Sequence, residues 1–231
     1  MPNYMSTIVN NLSKKVIGYD VNHPDAETRA IPFSSTVEKI LTDCGINNYP
    51  VSMTKICSHY GIKLIEMDLS SDKRLLGDTE NDYLFGFASA KSDVVASQNS
   101  NIDPVVIAVN NKDSLDKQYL VSSDRMRFTA AHDFAHIVLH LKRQLEEQKG
   151  ESVIICRRRF NSNTEKEIDA DEFAAQLLMP KEMLETAYNN LFIKSVYKLA
   201  EMFAVSPRNM KIRLDKIGIS DYLDDSYVVA N

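Results

Sequence analysis

The sequence predicts an α+β fold: a small antiparallel sheet beside a pair of helices, followed by a shorter helical pair. Three observations predict it. Apolar residues recur at helical spacing over 125 to 142 and again over 164 to 179. Two shorter runs, Tyr83-Leu-Phe-Gly-Phe-Ala-Ser89 and Val105 to Val109, are rich in β-branched and aromatic residues and read as strands. The stretch from Ser195 to Ile219 has the pattern of helix, short turn, helix.

Taken in order, residues 1 to 34 have little periodicity and carry Pro24 and Pro32 in a polar setting, which predicts an N-terminal extension and linker. Residues 36 to 44 form a predicted helix with Val37, Ile40 and Leu41 on one face. The stretch 111 to 124 is a polar connection. Between the two long helices lies a charged segment, Leu141 to Thr164, whose run Arg157-Arg-Arg159 reads as a solvated loop, with the clamping of an acidic partner as the alternative. In the second long helix, Phe173, Ala174, Leu177 and Leu178 mark the buried face, and Pro180 stops it. Near the end, Ser206 caps a helix that starts on Pro207, and Arg208, Lys211, Arg213 and Lys216 give that helix a basic side. Such a helix fits a DNA major groove, but packing on the fold or recognition of a protein partner is the preferred reading. The expected organisation is an extension over 1–34, a main domain over 35–190, helix-turn-helix-like helices over 191–220 and an acidic tail over 221–231.

Composition narrows the class. The chain has 231 residues, 44% of them hydrophobic, enough for one core. A net charge of −5 gives no general attraction to nucleic acid. Cys44, Cys57 and Cys156 are few, odd in number and without C-x-x-C spacing, which suits reduced thiols in a cytoplasmic protein. No apolar run approaches the about 20 residues of a membrane span, and the first 30 residues lack the apolar segment of a signal peptide.

The chemistry concentrates in Arg125-Met-Arg-Phe-Thr-Ala-Ala-His-Asp-Phe-Ala-His-Ile-Val-Leu-His140. His132 and His136 are four apart, so their imidazoles lie one turn apart on one helix face and can grip one divalent metal. Asp133 follows the first histidine, in the place of the general base in the H-E-x-x-H layout of zinc peptidases. Aspartate is one methylene shorter than the usual glutamate. A zinc site needs a third protein ligand, and the second long helix offers Glu167 and Asp171, four apart. In the glutamate-zinc peptidases the first acid of such a pair ligates and the second holds a ligand histidine by its other ring nitrogen. Glu165, Asp169 and Glu172 are the competing carboxylates; the first two face elsewhere, and Glu172 can approach but lacks an acid four residues on. His140 sits about 12 Å along the axis from His132, too far for the same ion, and is expected to cap the helix or bond a carbonyl.

Arg127 to His140 resembles the R-F-T-x-A-H-E-x-x-H-x-x-L-H signature of the ImmA/IrrE metallopeptidase family, and Glu167 to Pro180 resembles its second signature, E-x-E-A-[ND]-x-F-A-x-x-L-L-M-P. Val51 to Leu64, with a short helix and then a strand, is similar to the family's upstream region, as are Gly86-Phe-Ala and Val105 to Asn111. The likeness covers roughly residues 35 to 220. It implies a zincin-like, cytoplasmic zinc endopeptidase of a mobile element or stress response, acting on a protein partner that is typically a helix-turn-helix repressor. Carried over by position, His132, His136 and Glu167 are Zn2+ ligands and Asp133 is the base, a departure from the family's glutamate. A metal-bound regulatory protein of weak or no turnover, with DNA contact through 195–217, is the alternative. The strand Val105 to Asn110 is expected to pair with extended substrate, and His140, Tyr188 and Arg127 are the candidate oxyanion donors.

Overall fold

Six residues, Val105-Val-Ile-Ala-Val-Asn110, organise the sheet because they have almost no polar face. A strand of that composition is stable only when covered on both sides. In the computed structural model, which describes residues 33–69, 84–90, 105–112, 123–147, 153–159, 165–190 and 193–219, it is the inner strand β3, buried along nearly its whole length. The described elements run α1 (Ser34–Asp43), α2 (Met53–His59), β1 (Lys63–Met67), β2 (Leu84–Ala90), β3 (Val105–Asn110), α3 (Ser123–Glu147), β4 (Val153–Arg159), α4 (Glu165–Leu178), α5 (Lys181–Asn190), α6 (Val196–Phe203) and α7 (Pro207–Ile217).

The sheet has the order β1-β3-β2-β4. β2 pairs antiparallel with both β3 and β4, while β1 pairs parallel with β3. The sheet is therefore mixed, not antiparallel as expected. The reason is topological: the chain passes from β1 across to the far side of β3 before β2, so β1 and β3 run the same way. A second expectation also fails. β3 has a neighbour on each side and offers no free edge to a substrate; its continuous apolar run marks an inner strand.

The segment after the first long helix differs from the expected loop. α3 continues through Glu147, and Val153–Arg159 is an edge strand that carries the arginine run. Val153-Ile-Ile supplies β-branched residues that favour a strand, and an edge tolerates the charges that follow. The helix α5 had no prediction. Residues 1–32, 113–122 and 221–231, which include most of the expected extension, the polar connection and the acidic tail, lie outside the described residues.

α3 packs on the sheet and α4 packs on α3. Ala130, Ala131 and Ala135 on α3 and Ala170 and Ala174 on α4 are all buried, and such small side chains permit close approach of backbones. Phe134, Phe173, Ile107 and Leu177 fill the remaining volume, each contributing about 1.5–3 kcal/mol through removal from water. α1 closes the far side of α4, with Phe33 edge-on to Phe173 at a centroid distance of 5.4 Å.

The C-terminal helices form as their capping residues dictate. Ser195 and Ser206 accept from the backbone N–H three residues on, Pro207 begins α7, and Gly218 ends it at φ 75°. α6 ends on Ala204 at φ 49°, a left-handed conformation that costs an alanine about 1 kcal/mol. Arg127 of α3 ties down this turn: its Nε donates to the Ala204 carbonyl at 3.1 Å and its Nη2 to that of Phe203 at 3.5 Å. α7 is tied to α4. Arg213 Nε donates to the Met179 carbonyl at 3.1 Å, Arg213 Nη1 lies 3.7 Å from Glu172, and Lys216 pairs with the same carboxylate. Two of the four residues that give the helix its basic side are thus turned onto the body of the protein, as the packing reading expects.

Arg213 is 5% exposed, whereas the Lys216 side chain is 53% exposed. Arg213→Ala leaves the Met179 carbonyl and part of Glu172 without their donor and should cost roughly 2–3 kcal/mol in denaturant unfolding. Lys216→Ala should cost under about 1 kcal/mol. Equal losses from the two variants would contradict this assignment.

Candidate metal centre

α3 is long because the chain from Ser123 onward offers alternating helix formers and small residues without glycine or proline. Its fourfold spacing places His132, His136 and His140 in one row. All three histidines are buried, and α4 lies across from them.

His132 and His136 meet the two turns of α4 that carry Asp171 and Glu167. His132 Nδ1 lies 2.8 Å from Asp171 Oδ1, and its Nε2 lies 3.0 Å from Glu167 Oε2. His136 Nε2 lies 3.2 Å from Glu167 Oε1 and 3.0 Å from His132 Nε2. His140 lies one turn further on, its ring centroid 5.4 Å from that of His136. The helices therefore run antiparallel, with residues 132 and 136 reading against 171 and 167.

The ligand atoms of His132, His136 and Glu167 lie within 4.8 Å of one another, which is close enough to hold one metal ion. The electrostatics match. Burial works to raise the Glu167 carboxyl, but hydrogen bonds from His132 and His136, and their charge, outweigh it and hold the group well below the usual carboxylate range. Glu167 is an anion aimed at two ring nitrogens. Burial, then the charges of His136 and Lys166, push the His140 imidazole down to about 4, so it is neutral near pH 7. Asp171 stands at the rim with its side chain 52% exposed, and it fixes a His132 side chain that is 1% exposed.

Asp133 is fully buried at the contact between α3 and β2. Gly86 makes that contact possible. A Cβ at residue 86 would fall 2.8 Å from Asp133 Oδ2, 2.6 Å from Thr129 Cγ2 and 2.9 Å from the Ala108 carbonyl. The strand backbone thus lies directly against the carboxylate. Gly86 had no assigned role in the sequence reading, though a glycine inside a strand is a known signal of close approach.

The other expected residues are placed elsewhere. Arg127 donates to the backbone of the α6 turn. Tyr188 on α5 lies under the Lys194 ammonium, 3.3 Å from its ring centroid. Of the competing carboxylates, Glu172 is occupied by Arg213, Lys216 and Gln176. Its link to Arg213 was legible only in hindsight: Arg213 shares the inward face of Met210 and Leu214.

No curated protein matches the chain by sequence. A family model does match, that of the peptidase M78 family, described as the IrrE N-terminal-like domain, over residues 57–215. That span starts in α2, includes every histidine and carboxylate of the cluster and ends in α7. With the residues of the cluster converging as a metallopeptidase site requires, the chain belongs to the peptidase M78 family, a family of ImmA/IrrE metallopeptidases.

Proposed function

We propose that this protein is a zinc-dependent endopeptidase that cuts a protein partner. The observation that carries the proposal is the convergence of His132 Nε2, His136 Nε2 and the Glu167 carboxylate. Zinc bonds of about 2.0–2.2 Å at tetrahedral angles put donor atoms roughly 3.3 Å apart. The separations here are 3.0, 3.0 and 3.2 Å, so the residues fit such an ion with little movement. Two imidazole nitrogens facing each other across 3.0 Å make a poor arrangement unless a proton or a cation lies between them.

Zinc in that position supplies Lewis-acid polarisation of the scissile carbonyl and acidifies water. The chain's own residues do the rest. Asp171 accepts the Nδ1 proton of His132 and so presents the Nε2 lone pair inward. In this reading Asp133 takes a proton from the attacking water and returns it to the leaving amine. Gly86 lets the strand come close enough to bury that carboxylate out of bulk water. The likeness to ImmA/IrrE proteins supports a transcriptional repressor as the substrate and the cytoplasm as the location. No helix among the described residues is long and apolar enough to cross a membrane.

A second reading is a zinc-bound regulatory protein of low turnover. It is favoured by the short acid at 133, whose carboxylate is lodged against the strand. A misplacement of about 1 Å can cost on the order of 10²-fold in rate. The test is cleavage of helix-turn-helix repressors from the protein's own source by three zinc-loaded forms. We expect slow cleavage by the parent, faster cleavage by Asp133→Glu and none by Asp133→Asn, all with zinc retained. Equal inertness of all three, with binding of the repressor intact, would favour the second reading.

Asp171→Ala should weaken zinc binding by about 10–100-fold without abolishing it, because Asp171 acts through His132. Competition against a chromophoric chelator measures this. Complete loss of zinc in this variant, beside retained zinc in Glu167→Gln, would reverse the two roles.

A further inference from the structure

The two faces of α7 differ in how their charges are met. Met210, Arg213 and Leu214 face the body of the protein and are buried. Arg213 and Lys216 both meet Glu172 of α4, so the fold itself answers their charge. The outer face carries Arg208, Lys211, Ile212 and Asp215, all exposed and spaced so that they form one stripe along the helix. The two cations lie in the first half of that stripe and the acid in the second. Ile212, between them, is 45% exposed, one of four large apolar side chains so exposed among the described residues. A cationic stripe with an apolar centre complements an anionic segment that also carries apolar side chains.

Such a segment follows directly. α7 ends at Gly218, whose φ of 75° turns the chain back, and the Ile219 N–H donates to the Leu214 carbonyl at 3.0 Å. The next residues are Ser220-Asp-Tyr-Leu-Asp-Asp-Ser-Tyr-Val-Val-Ala-Asn231. They hold three aspartates, no lysine or arginine, and the apolar pairs Tyr222-Leu223 and Val228-Val229. The reach is sufficient. Arg208 lies ten residues before Gly218, about 15 Å along the helix axis. Asp224 lies six residues after Gly218, and an extended chain covers about 20 Å in that distance. A course back along α7 passes Asp215 early. It brings Asp224 and Asp225 to Lys211 and Arg208, with Tyr222 and Leu223 in reach of Ile212.

We propose that residues 220–231 fold back onto the outer face of α7, with Asp224 and Asp225 against Arg208 and Lys211 and the Tyr222-Leu223 pair over Ile212. The chain's own acidic segment thereby occupies the surface that DNA or an acidic protein would need. A short tether gives an effective concentration in the millimolar range, so a contact of about millimolar affinity is enough to hold the segment. An external anionic partner meets α7 only by displacing it. The proposal is independent of the metal centre.

The test uses the full chain with the photoreactive residue p-benzoylphenylalanine in place of Ile212, irradiated in dilute solution and mapped by mass spectrometry after proteolysis. α7 should be joined to residues 220–231 of the same molecule. The same group in place of Lys39, an exposed residue of α1, should not reach them. A second measurement leaves α7 untouched. The chain has no tryptophan, so Tyr222→Trp gives a single reporter. Its emission should move to the red and its anisotropy fall as salt rises, because exposed ion pairs are screened. Arg208→Glu/Lys211→Glu should lower the cross-linked fraction roughly 3–10-fold. Asp224→Lys/Asp225→Lys in that background should restore it. No links from position 212 to 220–231, equal links from position 39, or a reporter indifferent to salt overturns the proposal. So does charge reversal without effect, or a loss that the charge swap does not restore. Links that join two molecules also overturn it and give the face to a second copy.

Discussion

The axial register between α3 and α4 is the constraint on which the rest depends. Two imidazoles and a carboxylate are expensive to bury singly, and they become tolerable only where each meets a partner. His132, His136 and Glu167 satisfy one another only if α4 lies so that residue 167 falls opposite 136 and residue 171 opposite 132. A shift of one helical turn, about 5.4 Å, would take one of the two acids out of reach and leave one buried histidine without a carboxylate partner. The alanines at 131, 135, 170 and 174 make the approach possible, and the polar row selects one register among those that packing allows.

Much of the remaining structure serves that register. The sheet gives α3 a flat support, with Gly86 removing the one side chain that would push Thr129 and Asp133 away. Arg127 fastens the start of α3 to the α6 turn, and Arg213 fastens the end of α4 to α7. The two C-terminal helices therefore brace both helices of the metal centre from the same side. Helix-turn-helix patterning in the sequence reflects this bracing: the buried face of α7 carries Arg213 inward, and Lys216 folds onto Glu172.

The parts legible in the sequence were those governed by local periodicity. The fourfold spacing of histidines and acids, the buried faces of α1 and α4, and the cap and proline at the start of α7 follow from helix geometry alone, and all are present. Relations between distant segments were not legible. Nothing local to Val105–Asn110 says that β1 will pair with it in parallel, and nothing local to the arginines at 157–159 says that the preceding valine and isoleucines will recruit them to a sheet edge. The partner of Arg213 was hidden for the same reason, since Glu172 lies 41 residues earlier.

The central claim is that one zinc ion sits between α3 and α4 on the two histidines and Glu167. Anomalous diffraction at the zinc edge, from crystals of the zinc-loaded chain, tests it most directly. The account predicts one peak about 2.0–2.2 Å from His132 Nε2, His136 Nε2 and a Glu167 oxygen, with Asp171 bonded to His132 and not to the ion. A peak held by Asp171 or by His140 in place of Glu167, or no peak between the helices, would contradict it.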